Sequence, residues 1–425
     1  MGVAFGVAVA VGNALGAGIL RAPGEIAARI PSVALYLVLW VIGACYAMLG
    51  AVSLAELGAM LQRSGGQYVF ARDAFGPFGG FVSGWSDWIS TCGSLAIVSI
   101  VVGEYVPAFV PALEGHETAI AASLVAGLAL LQWRGVRWGS TTQEITSLAK
   151  TIAFAALIGA CLILGAHGTP IRQTPPSTGI TVAGVLLAMQ GVIYTYDGWG
   201  AVTYFGEEIR DAGRQIPRAI FGSVLLLGAI YLLANVAYVR VVPYASMKGD
   251  PFVAGTAARA VFGPRGDALI RGVMIVSLVS SANALQLMAS RVLFAMSRDG
   301  LFNARGARVN EGGTPSVALG AGTALTLALV LTGTFQKAAA MTSFCFVLDY
   351  ALSFAALFVL RRRAPDRARP YRAWGYPWTT GIALVGSLAF LVAAIAADTL
   401  NSAIVLTALT VGYVLTARRG GGRTA

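Results

Sequence analysis

The sequence predicts an all-α polytopic membrane protein, and three observations predict it. Hydrophobic residues fill 57% of the 425 positions and charged residues only 12%, against about 25% charged in a soluble domain. Mean hydropathy is +0.73, carried by apolar runs too continuous for the alternating strands of a barrel. The basic residues gather in alternate connections between those runs, as the positive-inside rule requires.

Twelve transmembrane segments are expected, near 3–28, 31–61, 78–106, 117–133, 141–166, 181–205, 216–240, 266–296, 315–334, 338–360, 378–397 and 400–416. At about 20 residues per crossing they consume the chain, so 1–425 reads as a single transmembrane domain. Segment 1 contains GNALGAGIL at 12–20, and segment 2 ends in AELGAMLQRSGGQY. Segments 3 and 4 are plain apolar runs. Segment 5, EITSLAKTIAFAALI, carries the lone charge of Lys150, and segment 6 carries YTYDGWGAVTYFGEE at 194–208. Segment 8 ends in MASRVLFAMSRDGLF, segment 10 runs into RRRAPDRARPYR, and segments 11 and 12 rest on hydropathy.

Arginines at 63, 72, 134, 137, 210, 214, 218, 291, 298, 305 and 308, the run at 361–372, and those at 418, 419 and 423 fall on one side. That bias places both termini in the cytoplasm. The net charge of +11 is therefore topology and does not imply a nucleic-acid partner. Cys45, Cys92, Cys161 and Cys345 sit in apolar runs without metal spacing, and His116 and His167 lie in connections, so no metal and no cofactor is expected. No cleavable signal peptide is expected either.

Segments 1 and 6 are both interrupted by glycine and polar groups, and each opens a block of five helices. This pattern predicts a 5+5 inverted repeat with discontinuous helices 1 and 6, about 1–166 and 181–360, with helices 11 and 12 (376–416) outside it. Broken helices free backbone groups that hydrocarbon does not tolerate unless a cavity or ligand satisfies them. Gly16, Ala17, Gly18 and Ile19 are expected to offer N–H donors to an anion. Carbonyls around Asn13 and Tyr194–Asp197 are expected to accept from an ammonium. A ligand holding both groups close together is an α-amino acid.

GNALGAGILRAPGEIA, AELGAMLQRSGGQYVFARDAFGP, YDGWGAVTYFGEEIRDAGRQIPRAI and MASRVLFAMSRDGLF, in this order from 12 to 302, resemble motifs of the amino acid–polyamine–organocation superfamily, and most of all its L-type amino acid transporter branch. The resemblance implies a LeuT-type fold and amino acid transport by alternating access. It implies that Gly16, Ala17, Gly18 and Ile19 hold the substrate carboxylate, that Tyr194 covers the substrate, and that Trp199 follows the unwound segment with Gly198. Gly200 departs from the family's asparagine. Lys150 matches a lysine that substitutes for sodium, with Ser281 and carbonyls near Gly16 as partners; it acts as a brace or a proton site.

Asp197 either contacts a cationic substrate or accepts local hydrogen bonds, and Tyr196 and Ser94 either line the pocket or pack. Glu207 and Glu208, with Arg210, Arg214 and Arg218, are expected either to form the inner gate and loop salt bridges or to be a solvated charge run, with Tyr194 as the outer gate. Glu56 is expected near Arg291, and RRRAPDRARPYR against anionic lipid.

The expected function is sodium-independent transport of neutral L-amino acids, by exchange or with H⁺, in a bacterial plasma (inner) membrane. The alternative is a polyamine or cationic amino acid carrier; a sensor or channel is the non-carrier rival. No catalytic constellation or phosphate loop is present, so no enzyme is expected. Residues 107–116 lack a cysteine, so no disulfide-linked heavy subunit is expected.

Overall fold

A computed structural model describes residues 2–63, 65–134, 139–165, 179–332 and 335–397, with scattered positions between 399 and 410. The expected segment 12, His167 and Arg172 lie largely or wholly outside the described residues. Among the described residues every regular element is helical.

The first apolar run forms α1 (Val3–Ala14) and α2 (Ala17–Arg29), bent by 44° at the break. Leu15 and Gly16 leave helical geometry there, with Gly16 extended at φ −130° and ψ −143°. α3 (Val33–Met60) starts on Ser32, whose hydroxyl accepts from the Leu35 N–H, a typical N-cap. α4 (Gln67–Tyr105) begins eleven residues before the expected 78. Its first turns belong to the loop side of Gly76, which kinks the chain at φ +74° just before Pro77, and Pro suits a helix start.

α5 (Glu117–Trp133), α6 (Gly139–Leu164) and α7 (Val182–Tyr196) follow. After α7 the chain is extended at Asp197, turns through Gly198 at φ +106° and continues as a 3₁₀ segment, Ala201–Glu208. α8 (Ala212–Val241) is followed by α9 (Tyr244–Met247) and α10 (Val253–Phe262), two short helices where a plain connection was expected. Then come α11 (Pro264–Arg298), α12 (Ser316–Thr332), α13 (Phe335–Arg363) and α14 (Trp378–Ala397). Six helices are long and apolar enough to cross a membrane, or seven with the bent α1–α2 pair.

Two groups of helices meet around the breaks. α1, α2, α3, α7 and α8 pack together, while α4, α5, α11 and α12 form a second group. α6 packs on α1, α8 and α11, and α13 packs on α7, α3 and α4.

Candidate functional site

Both chain breaks meet at one place. Gly18, in the first turn of α2, lies so close to α7 that a Cβ there would come within 2.8 Å of the Thr195 Cα. Gly198 needs its positive φ, which L side chains rarely adopt, and a Cβ there would lie 3.2 Å from the Ala14 nitrogen and the Asn13 Nδ2. Glycine at both positions lets backbone touch backbone.

The carbonyls freed by the first break are satisfied from other helices. The Tyr231 hydroxyl of α8 donates to the Ala14 carbonyl at 2.6 Å. Lys150 of α6, only 1% exposed, donates from Nζ to the Gly12 carbonyl and to Ser281 Oγ of α11, the latter at 3.2 Å. Its backbone partner is thus Gly12, one turn before the expected carbonyls near Gly16: the ammonium caps the end of α1 itself. On the other side of the break Ala17, Gly18 and Ile19 begin α2, where N–H groups have no partner within their own helix.

A cavity of about 30 Å³ lies on those N–H groups, here termed the cradle. Asn13, Gly16, Ala17, Gly18 and Tyr194 line it, with Ser94 and Phe346. Ile19 is expected there but its side chain is wholly buried in the core; only its backbone is available. Tyr196 turns away: its hydroxyl donates to the Trp40 carbonyl at 3.1 Å, and its ring packs on Trp40 and Tyr231. Residues two positions apart on a helix are rotated by about 200°, so Tyr194 and Tyr196 face opposite sides. Trp199 is also absent from the cavity walls and stacks on Tyr350, centroids 5.4 Å apart at 13°.

A second cavity, about 40 Å³, shares Asn13, Ser94, Asp197, Leu285 and Phe346 with the cradle. Asp87 of α4 and Asp349 of α13 line it as well. Tyr204 donates to Asp87 Oδ1 at 2.7 Å, and Tyr350 donates to Asp197. Asp87 and Asp349 were missed by sequence reasoning although the signal was present: each is an acid in the middle of an apolar stretch, and such a residue is a functional candidate by default.

Tyr204 and Met288 separate this acidic chamber from a vestibule of about 680 Å³ at the arginine-rich face. Glu207 lines the vestibule with Arg63, Arg72, Arg291 and Arg298; the side chain of Glu208 lies outside the described residues. The vestibule wall is tied by Asp299, which accepts from the Tyr68 hydroxyl at 2.6 Å and pairs with Arg72. Burial works against the Asp299 carboxylate, but the Tyr68 and Arg72 hydrogen bonds and the positive charge of Arg72 outweigh it and lower its pKa.

One expectation at this face is corrected. Glu56 pairs with Arg361 and Arg369 and accepts from the Ala373 N–H, while Arg291 lines the vestibule. Within the run at 361–372, Arg363 donates to the Ala74 carbonyl and Arg367 pairs with Asp73, while Arg362 and Arg372 are exposed. At the opposite face Arg21 bonds Glu104 at 2.6 Å.

The model of a family described as amino acid permease matches residues 5–415. The chain is similar to the serine/threonine exchanger SteT of Bacillus subtilis, 27% identical over 421 residues, covering 94% of this chain and 92% of that protein. It is also similar to the b(0,+)-type amino acid transporter 1 of Mus musculus, 28% identical over 88% of this chain and 78% of that protein. The Asc-type amino acid transporter 1 of Homo sapiens is 30% identical over 88% of this chain and 73% of that protein.

Proposed function

The chain belongs to the amino acid permease family, and from that membership we propose that it is a sodium-independent exchanger of L-amino acids working by alternating access. It is a multi-pass membrane transporter, not an enzyme. The observation that carries the reading is the cradle, where unpaired N–H groups at the start of α2 meet a cavity closed by the second break. In this reading the N–H groups of Ala17, Gly18 and Ile19 hold the substrate carboxylate, while Gly16 lines the site with its own N–H donating to the Ala14 carbonyl at 2.8 Å. The carbonyl and amide oxygens of Asn13 and the Asp197 segment take its ammonium, and Tyr194 covers it. Lys150, with Ser281, fills with its own charge the place a sodium ion would take.

The packing supports the finer architecture proposed with this function: a LeuT-type 5+5 repeat of about twelve helices with both termini cytoplasmic. Moving five segments along turns α1, α8 and α11, the partners of α6, into α7, α3 and α4, the partners of α13. A two-fold relation between halves produces such a match. With the arginine-rich face inside, the vestibule opens toward the cytoplasm of a bacterial cell and the site lies in its plasma membrane. No heavy subunit is required.

One observation favours a cationic substrate over the neutral one the sequence suggests: three aspartates line the chamber next to the cradle. The experiment is uptake of labelled amino acids into proteoliposomes with and without internal amino acid. Saturable uptake, accelerated by internal substrate and unchanged when choline replaces sodium, is the expected result. Binding without flux would make the protein a sensor, non-saturating flux a channel, and loss of uptake without sodium would overturn the role of Lys150.

A further inference from the structure

Asp87 and Asp349 are used neither by the cradle nor by the Lys150 brace. They are 4% and 3% exposed, lie on the packed helices α4 and α13, and line one chamber. Asp87 Oδ2 and Asp349 Oδ1 have no hydrogen-bond partner. Among the described residues lining the chamber there is no Lys, Arg or His, while Asp197 adds a third carboxyl group. Buried carboxylates without a countercharge are too costly to stay ionised. The chamber therefore holds protons or takes a cation. A metal is a poor candidate, because the described residues hold no cluster of three His, Cys, Asp or Glu fit to bind one. The volume of about 40 Å³ suits a small head group, since a cavity needs about 10–15 Å³ on this measure to hold one water.

The chamber adjoins the cradle across Asn13, Ser94 and Asp197, which line both. A ligand held in the cradle by its backbone groups would extend its side chain there. We propose that Asp87 and Asp349 form a subsite for a primary ammonium at the end of the substrate's own side chain, so that short basic amino acids such as ornithine are preferred over neutral ones of equal length. This rests on the amino-acid reading of the cradle. An incoming ammonium displaces the protons that neutralise the empty chamber, so its binding strengthens as pH rises. The other titratable groups facing the two carboxyls are Asp197 beyond α7, Tyr204 of the 3₁₀ segment, Tyr350 and Cys345 of α13, and Cys92 of α4. α11 contributes only Leu285 and Met288 to the chamber.

The test compares ornithine with norvaline, which has the same chain without the amine, binding to the full-length protein in lipid nanodiscs. Ornithine is expected to bind at least tenfold tighter at pH 8, and to lose most of that advantage at pH 5.5. Asp87→Asn and Asp349→Asn should each weaken ornithine at least tenfold and leave norvaline within twofold, so norvaline serves as the control for folding. Asp87→Glu and Asp349→Glu should keep part of the preference. Equal affinities for both ligands in the wild type would overturn the subsite alone and leave the carrier reading standing. Asn variants that lose both ligands equally would also overturn it, making the acids structural. Binding of neither ligand would overturn the amino-acid cradle, and the subsite with it.

Discussion

Where the cradle presents backbone N–H groups, the chamber beside it presents carboxyl side chains, although the two cavities share five residues. The cradle is a product of chain geometry: a helix stops, glycines allow a second broken helix to touch it, and freed carbonyls are covered by Tyr231 and Lys150. The chamber is a product of side-chain placement on intact helices, with charge left unbalanced. Backbone groups suit the part that all α-amino acids share, and side chains suit the part that differs. The two regions should therefore fail separately when each is damaged.

Lys150→Met is expected to have the largest effect. It removes the charged donor to the Gly12 carbonyl and leaves only the Ser281 hydroxyl, at 3.4 Å, a loss of about 1.5–3 kcal/mol for a hydrogen bond from a charged group. Uptake into proteoliposomes should fall at least roughly tenfold for ornithine and norvaline alike, with their ratio unchanged. A changed ratio would mean that cradle and chamber are one coupled site. Gly18→Ala comes next. Its methyl would lie 2.8 Å from the Thr195 Cα, and forcing that contact costs roughly 1–3 kcal/mol. The apparent Km for both ligands should rise several-fold, with a lower melting temperature in detergent.

Tyr350→Phe acts on the chamber instead. It removes the hydroxyl that donates to Asp197 while keeping the ring that stacks on Trp199. A freed carboxylate should attract an ammonium more strongly, so ornithine's preference over norvaline should rise roughly two- to fivefold, the worth of one hydrogen bond. A preference that falls would mean that Tyr350 orients Asp197 toward the ligand and does not compete with it.

The helices and the first break were legible because apolar runs and glycine clusters are local signals. Lys150 was legible as a charge at depth that must find a partner, and the family resemblance pointed to Ser281, which it does bond. The contacts of other residues depend on distant elements. Asp87 and Asp349 stand out singly in apolar runs, yet nothing local says that helices α4 and α13 bring them to one cavity. Glu56 was assigned to Arg291, but the end of α13 and the following loop reach it first. Sequence left Tyr196 between lining the pocket and packing, and helical phase turns it to Trp40.

The smallest expected effect lies at the vestibule, which serves cradle and chamber equally. Asp299 holds Tyr68 and Arg72 across its wall, and its pKa is lowered in the folded protein. A lowered carboxylate pKa contributes stability above its unfolded value, about 3.9, and loses it as pH falls through the folded value. The pair is partly exposed, with side-chain accessibilities of 33% and 26%, so screening keeps its contribution small. Asp299→Asn should lower the melting temperature by on the order of 1–2 °C. That difference should hold constant from pH 8 to pH 5 and shrink only below about pH 4. The ornithine-to-norvaline ratio should not move. Any change of that ratio between pH 8 and pH 5 in wild type then originates in the chamber, because the vestibule pair is silent over that range. A melting difference that already collapses between pH 7 and pH 5 would show instead that Asp299 titrates with the chamber, and that gate and subsite form one proton-linked unit.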